Sequence, residues 1–470
     1  MTGPRNDQGN PASSAHKEGT SMTNKPNSAQ PFGRRRFLQT TAAGVGGMAL
    51  GSLFVPLVAR AQTPELTMWW WGEQELPGLQ AYVDESVAAY TAATVKPMLQ
   101  DTAVVISQFQ TAAAAGTPPD IQYLWNGIYH MESVWFGYLK PLNGLLSEDT
   151  LRASNPTVLS NFGGNTYRAG WYPLPMVWYY NKDLFDKAGL DADAPPKTWA
   201  ELLDACDKLK TAGIEPLGGG MQDGYWAEWW MSHSFVQTLD TAGEAVELFI
   251  GDKDFNDPRY HEHWVRLEEL RTLGFLNKDM PSLELYPGID LVVAGKLGMG
   301  QSIGSRLPAD SKATNGRIGS MVMPVFGKGK LAGKPIVDTQ GLGIAEGSAN
   351  PEAAAAFLEY LNTPERLEAF HKATGWLPSS SRFDADLIED ASVKAMWKAW
   401  GQSPNITNVT NLMPGQFYEQ AAIPTGQQVV QGTLTGEQAG ELAARVAQEW
   451  RDFNPDLVEK YQQWVVDLSK

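Results

Sequence analysis

Ser302 lies in Gly300-Gln301-Ser302-Ile303-Gly304, the G-x-S-x-G spacing that lifts a serine nucleophile onto a strand-to-helix turn. Acyl transfer there needs an acid and then a histidine later in the chain, and His371 is the only histidine downstream. His371 falls in the helix-like run 365–372, so the pattern reads instead as a glycine-rich strand end that brings Gln301 and Ser302 to a cleft. His261-Glu262-His263 is too short for the H-E-x-x-H zinc spacing, and histidines two apart on a helix diverge. We expect no metal and no cofactor. Better represented is the chemistry of a polyhydroxylated ligand. Trp70 and Trp71 stand beside Glu73 and Gln74, Trp125 beside Asn126, and Gln222, Asp223, Tyr225, Trp226 and Trp229 share one glycine-broken stretch. Asn411 and Trp376 complete this set. An indole face packs on the C–H face of a pyranose, while carboxylates and amides serve its hydroxyl edge. The same tryptophans also read as core packing. Arg306 reads first as a surface ion pair and second as a clamp on an anionic sugar derivative.

The elements that must position these residues alternate. Leu66 to Trp70 predicts a strand, 79–92 an amphipathic helix, and 120–124 a short buried strand behind the Pro118-Pro119 turn. A longer strand is predicted over 172–180, and a helix over 198–211 with Thr198 as N-cap. Further helices are expected over 261–272, 351–361 and 437–468, with a glycine-broken strand near Gly298-Met299-Gly300. Strands alternating with helices imply an α/β fold with mostly parallel sheets. In such sheets ligands bind beyond the carboxyl ends of the strands, where the loops above fall.

Between Tyr180 and Leu203 the chain reads Y-N-K-D-L-F-D-K-A-G-L-D-A-D-A-P-P-K-T-W-A-E-L-L. Local capping explains its turns but not the whole phrase, which resembles the extracellular solute-binding proteins of carbohydrate ABC transporters (family 1, maltose-binding-protein-like). The likeness is strongest over 114–120, 178–210, 321–324 and 341–361, and weak over 238–284. It implies a type II two-lobed periplasmic binding protein fold, with discontinuous lobes joined by crossover hinge strands. The implied division is 62–175 and 340–377 for the N-lobe, and 176–339 and 378–470 for the C-lobe. Crossings are implied near 172–178, at D-T-Q-G-L-G-I from Asp338, and near Trp376-Leu377-Pro378. The loop from Gln222 to Trp229 takes the place where maltose-binding relatives carry an acid-and-aromatic ligand contact. The resemblance implies capture of a sugar without chemistry and delivery to permease subunits, with ATP hydrolysis on another protein. A binder of an anionic sugar derivative or polyol phosphate is the alternative, because relatives of this fold carry such ligands. A glycoside hydrolase would show similar aromatics and acids, yet no acid pair sits in a recognisable catalytic setting. A chemoreceptor adaptor is compatible with the same fold.

Gly33-Arg34-Arg35-Arg36-Phe37-Leu38-Gln39 matches the twin-arginine export pattern, followed by a mildly apolar run and Ala59-Arg60-Ala61. We therefore expect residues 1–61 to be a leader and signal peptide cleaved after Ala61, and a periplasmic product. The whole chain carries a formal charge of −16, and its leader is net basic, so the remainder is more acidic still. Such a surface argues against nucleic acid and anionic lipid as partners and suits a freely diffusing monomer. Cys206 is the single cysteine, so no internal disulfide forms, and its setting L-L-D-A-C-D-K-L predicts a buried, inert thiol.

Overall fold

The computed structural model describes residues 63–102, 104–154, 160–400 and 407–468. The expected leader and signal peptide lie outside the described residues. Among the described residues there are ten strands: β1 (Glu65–Trp70), β2 (Thr94–Leu99), β3 (Ile121–Leu124), β4 (Asn161–Phe162), β5 (Asn165–Thr166), β6 (Ala169–Asn181), β7 (Glu215–Gly218), β8 (Leu297–Ile303), β9 (Ile318–Met321) and β10 (Ile336–Ile344). Eight of them form one sheet in the order β2-β1-β3-β10-β6-β8-β7, with β9 also on β6, while β4 and β5 make a small hairpin.

β6 joins the two halves of this sheet. Its stretch 169–176 pairs with β10, and its stretch 176–181 pairs with β8 and β9. A mostly parallel sheet was expected, and the sheet is mixed. β1 pairs parallel with β2 and β3, and β7 with β8, but every contact of β6 and β10 is antiparallel. The reason is connectivity: right-handed βαβ units make parallel pairs, whereas long strands that carry the chain from one half to the other run against both neighbours. The strand β2 had no counterpart in the sequence reading, since Lys96 and Pro97 interrupt its apolar pattern.

Local chemistry sets the helices. Thr198 and Glu201 make a full capping box ahead of the helix Trp199–Thr211. Asn181 caps Lys182–Lys187, and Gly189 closes that turn at φ 71°, where a Cβ would be strained. The C-terminal run divides into Gly436–Phe453 and Pro455–Leu468, because Pro455 cannot continue the first helix. Gly440 lets Gly436–Phe453 settle against the helix Pro258–Thr272: a Cβ there would meet the His261 ring at 2.1 Å. His261 Nε2 lies 2.8 Å from the Phe255 carbonyl, and His263 packs against Trp264 at 3.8 Å between centroids. These histidines are core groups, and no cluster able to hold a metal occurs among the described residues. Cys206 is buried, and burial pushes its thiol pKa up.

Candidate functional site

Where β6 and β10 lie side by side, one face of both strands opens into a cleft of about 480 Å³, within the usual range for small-molecule sites. Leu174 and Met176 project from β6, and Asp338 and Gln340 from β10, each pair two residues apart as one face of a strand requires. The loop after β1 adds Trp71 and Glu75, and the loop after β3 adds Trp125. From the second half of the sheet come Tyr225, Glu228 and Trp229, on the helix Tyr225–Phe235 that follows β7. Their i, i+3, i+4 spacing makes them one helical face. Tyr286, Asn408, Asn411, Gln416, Tyr418 and Glu419 complete much of the remaining wall.

The aromatic groups brace one another. Trp71 meets Trp125 edge-on at 5.1 Å and donates its Nε1–H to Thr102 Oγ1 at 2.7 Å. Trp229 meets Tyr286 edge-on at 6.5 Å. Such fixed rings offer apolar faces at little cost in ordering.

The electrostatics are one-sided. Glu75, Glu132, Glu228, Asp338 and Glu419 line the cleft, and among the described residues no lysine, arginine or histidine does. Glu75 is 3 % exposed, and burial pushes its pKa up to about 8, with the nearby Asp338 charge adding to the effect and Tyr172 and Gln340 opposing it. Burial likewise raises Glu228 to about 7, against hydrogen bonds from Thr410 and Ser232. Asp338 is raised by burial, with Arg168 as its main opposing influence. Burial raises Glu132, with a contribution from Glu419. Arg168 sits behind the wall, fully buried, and donates to Asn126 Oδ1 at 2.6 Å, to Ser160 Oγ at 3.2 Å and to the Thr339 carbonyl. Asp338 also accepts from Asn411 Nδ2 at 2.5 Å and from its neighbour's Thr339 N–H at 2.7 Å.

Among the residues singled out from sequence, the cleft brings together Trp71, Trp125, Tyr225, Trp229 and Asn411. The others fall outside its lining. Trp70 is core. Glu73 accepts the backbone N–H groups of Gly78 at 3.0 Å and Gln80 at 2.6 Å, satisfying orphan donors at the start of the helix Leu79–Ala89. Gln74 accepts from Thr102 Oγ1 at 3.3 Å, and Gln222 is exposed. Asp223 accepts from the Tyr225 and Leu285 N–H groups and so fixes the turn into the next helix. Trp226 stacks on Trp230 at 5.7 Å and 11°, with its Nε1–H donated to the Gly218 carbonyl. Gln301 donates to the Trp226 carbonyl, and Ser302 is buried inside β8. Trp376 donates its Nε1–H to the Pro173 carbonyl at 2.8 Å, tying the returning chain to β6. Arg306 is held by Asp290 at 2.7 Å and Asp310 at 3.3 Å, over the Tyr286 ring.

The sequence reading missed Glu75, Glu228, Asp338 and Gln340. A signal existed for three of them: Glu228 shares the helical face of Tyr225 and Trp229, and Asp338 and Gln340 stand two apart on the predicted hinge strand; Glu75 had none.

A family model described as bacterial extracellular solute-binding protein matches residues 70–366. The chain belongs to that family. Its members capture solutes outside the cytoplasm, and no helix among the described residues is long and apolar enough to cross a membrane. Among curated proteins, a periplasmic protein described as sn-glycerol-3-phosphate-binding, UgpB of Pectobacterium atrosepticum, is 29 % identical over 215 residues, covering 43 % of this chain and 46 % of that protein. UgpB of Rhizobium meliloti is 26 % identical over 211 residues, with the same shares. The alignments thus span about half the length of these relatives. Among solved structures, a chitin oligosaccharide binding protein matches with a TM-score of 0.72 at 23 % identity, covering 82 % of this chain and 98 % of that one. The maltose/maltodextrin-binding domain MalE from Bdellovibrio bacteriovorus, bound to maltotriose, matches with a TM-score of 0.67 at 19 % identity, covering 83 % and 100 %. The family fold is therefore the two-lobed, type II periplasmic binding protein fold on a mixed sheet.

Proposed function

We propose that this protein captures a sugar or oligosaccharide in the aromatic and acid-lined cleft and delivers it to the permease subunits of an ABC importer. The observation that carries the reading is the lining itself: indole and phenol faces for pyranose C–H groups, and carboxylates and amides for hydroxyls, with no cationic side chain among the described residues. Capture needs two lobes that close on the ligand. We assign 62–175 and 340–377 to one lobe, and 176–339 and 378–470 to the other, with β6 and β10 as crossing strands. A ligand that touches both lobes favours closure by its differential affinity for the closed form. The twin-arginine motif supports export to the periplasm as a folded protein, and the acidic surface suits a freely diffusing monomer.

The relatives' description as glycerol-phosphate binders favours a second reading, a polyol phosphate. An anion would enter a cleft lined by five acidic side chains, and Arg306 already serves two aspartates. The neutral-sugar reading fits that charge better. Hydrolysis is not part of the proposal; a protein that released reducing ends from bound glycosides would be an enzyme instead.

The deciding experiment is a thermal-shift screen of neutral sugars, sugar acids, sugar phosphates and polyols. A ligand at one hundred times its Kd adds about 2.7 kcal/mol of stability. A shift with sugars supports the reading, and a shift confined to phosphates replaces it with the second.

A further inference from the structure

We propose that the cleft is built for a polyhydroxylated ligand carrying a protonated amine, an amino sugar or aminocyclitol cation. The inference rests on the sugar reading above and narrows its substrate class.

The first observation is charge. Among the described residues the lining holds five acidic side chains and no cationic one; Arg168 stands behind Asp338, and Arg306, paired with Asp290 and Asp310, lies over the Tyr286 ring. The second is hydrogen-bonding capacity. Among the described residues Gln340 Oε1 is buried without a hydrogen-bond partner, Glu75 Oε1 is buried with only the Tyr172 hydroxyl facing its carboxyl group, and both residues line the cleft. Gln340 Nε2 reaches Glu75 Oε2 only at 3.5 Å. The wall carries donors as well, in the hydroxyls of Tyr225 and Tyr286 and the amides of Asn408 and Gln416, but none of these is bonded to the two oxygens. Buried acceptors left unpaired are costly, so the occupant that suits them brings donors. A hydroxyl brings one donor together with acceptors of its own, whereas an ammonium brings three donors and a positive charge.

The geometry also separates an organic cation from a metal ion. Asp338 lies within electrostatic reach of both Glu75 and Glu228, and Glu132 of Glu419, yet no group among the described residues converges tightly enough for a metal. Carboxylates spread along a cleft of this size match an ammonium on a ring scaffold. Trp71, Trp125, Trp229 and Tyr286 add aromatic faces that attract a cation as readily as they pack a sugar ring.

A protonated amine would also return Glu75 to its charged form, so binding should release a proton. The groups facing Glu75 are Asp338 on β10 and Tyr172 on β6, with Tyr123 and Tyr286 also in electrostatic reach, and none of them supplies a positive charge.

The test is calorimetric titration of the full protein with matched pairs: glucosamine and its β-1,4 disaccharide, 2-deoxystreptamine, and the N-acetylated form of each. Glucose, its β-1,4 disaccharide, a sugar phosphate and spermidine complete the panel. We expect the amines to bind at least tenfold more tightly than their N-acetylated partners, with an enthalpy that depends on buffer ionisation. Glu75→Gln should shrink that preference toward unity. Should this variant fail to fold, the buffer dependence in the unaltered protein carries the same information. Equal or tighter binding of neutral sugars overturns the amine proposal and leaves the sugar reading intact. Binding confined to the sugar phosphate, or to spermidine, overturns both.

Discussion

Asn411 Nδ2 donates to Asp338 Oδ2 at 2.5 Å, joining a turn late in the chain to the middle of β10. The bond matters because Asp338 is buried, carries a raised pKa and has Arg168 as its chief electrostatic support. Asn411→Ala leaves the carboxylate one donor short. We expect a loss of about 1–3 kcal/mol in urea unfolding, the usual cost of an unsatisfied buried group, together with weaker ligand binding because both residues line the cleft. A variant with unchanged stability would mean that water replaces the amide.

Trp226 and Trp229 are neighbours on one helix with different tasks. Trp229 lines the cleft, whereas Trp226 stacks on Trp230 behind it. Trp229→Ala should cost about 2 kcal/mol or more of ligand affinity, as buried aromatic anchors do, with a small change in the unfolding midpoint. Trp226→Ala should instead cost about 3–5 kcal/mol of stability through the cavity it leaves. Titration and denaturant unfolding of both variants separate the two roles, and a reversed pattern would place the ligand on the other face of the helix.

That contrast also marks what the sequence made legible. The phrase from Tyr180 to Leu203, the Thr198–Glu201 cap and the period-two strands pointed to the α/β architecture, because local rules and the fold agree there. The aromatic members of the site were legible as well, since a run such as Trp69-Trp70-Trp71 at a strand end must turn one ring out of the core. The acids were harder. Residues 222–229 read as a polar and aromatic loop, but the helix already begins at Tyr225, which puts Glu228 beside Trp229 and turns Trp226 inward. Glu73 and Glu75 differ by two positions in one turn, yet one caps a helix and the other lines the cleft. Only the path of the backbone distinguishes them. Of residues 408–419, which reach the cleft by a tertiary return, Asn411 was singled out from the sequence, while Asn408, Tyr418 and Glu419 carry no local pattern that announces them.

Glu73 offers a clean control for that distinction. Glu73→Gln removes the charge that serves the N–H groups of Gly78 and Gln80, and should lower stability by about 0.5–2 kcal/mol, the range for lost caps. Ligand affinity should stay the same. A loss of affinity in titration, at equal stability, would bring Glu73 back into the site.

The raised acids make the unliganded protein sensitive to pH in a defined direction. Glu75 titrates at about 8 and Glu228 at about 7 in the folded protein, against an ordinary glutamate value of 4.5. Between those limits the folded state holds protons that the unfolded chain has already released, so stability is full at low pH and falls as pH rises. Each group contributes a slope of about 1.4 kcal/mol per pH unit within its window. Urea unfolding from pH 5 to 8.5 without ligand should therefore show declining stability, after allowance for the remaining groups by comparison with variants. Glu75→Gln should remove one proton's worth of that decline up to pH 8, and Glu228→Gln the same up to pH 7. A slope identical in all three proteins would show that water reaches these carboxylates and keeps them charged.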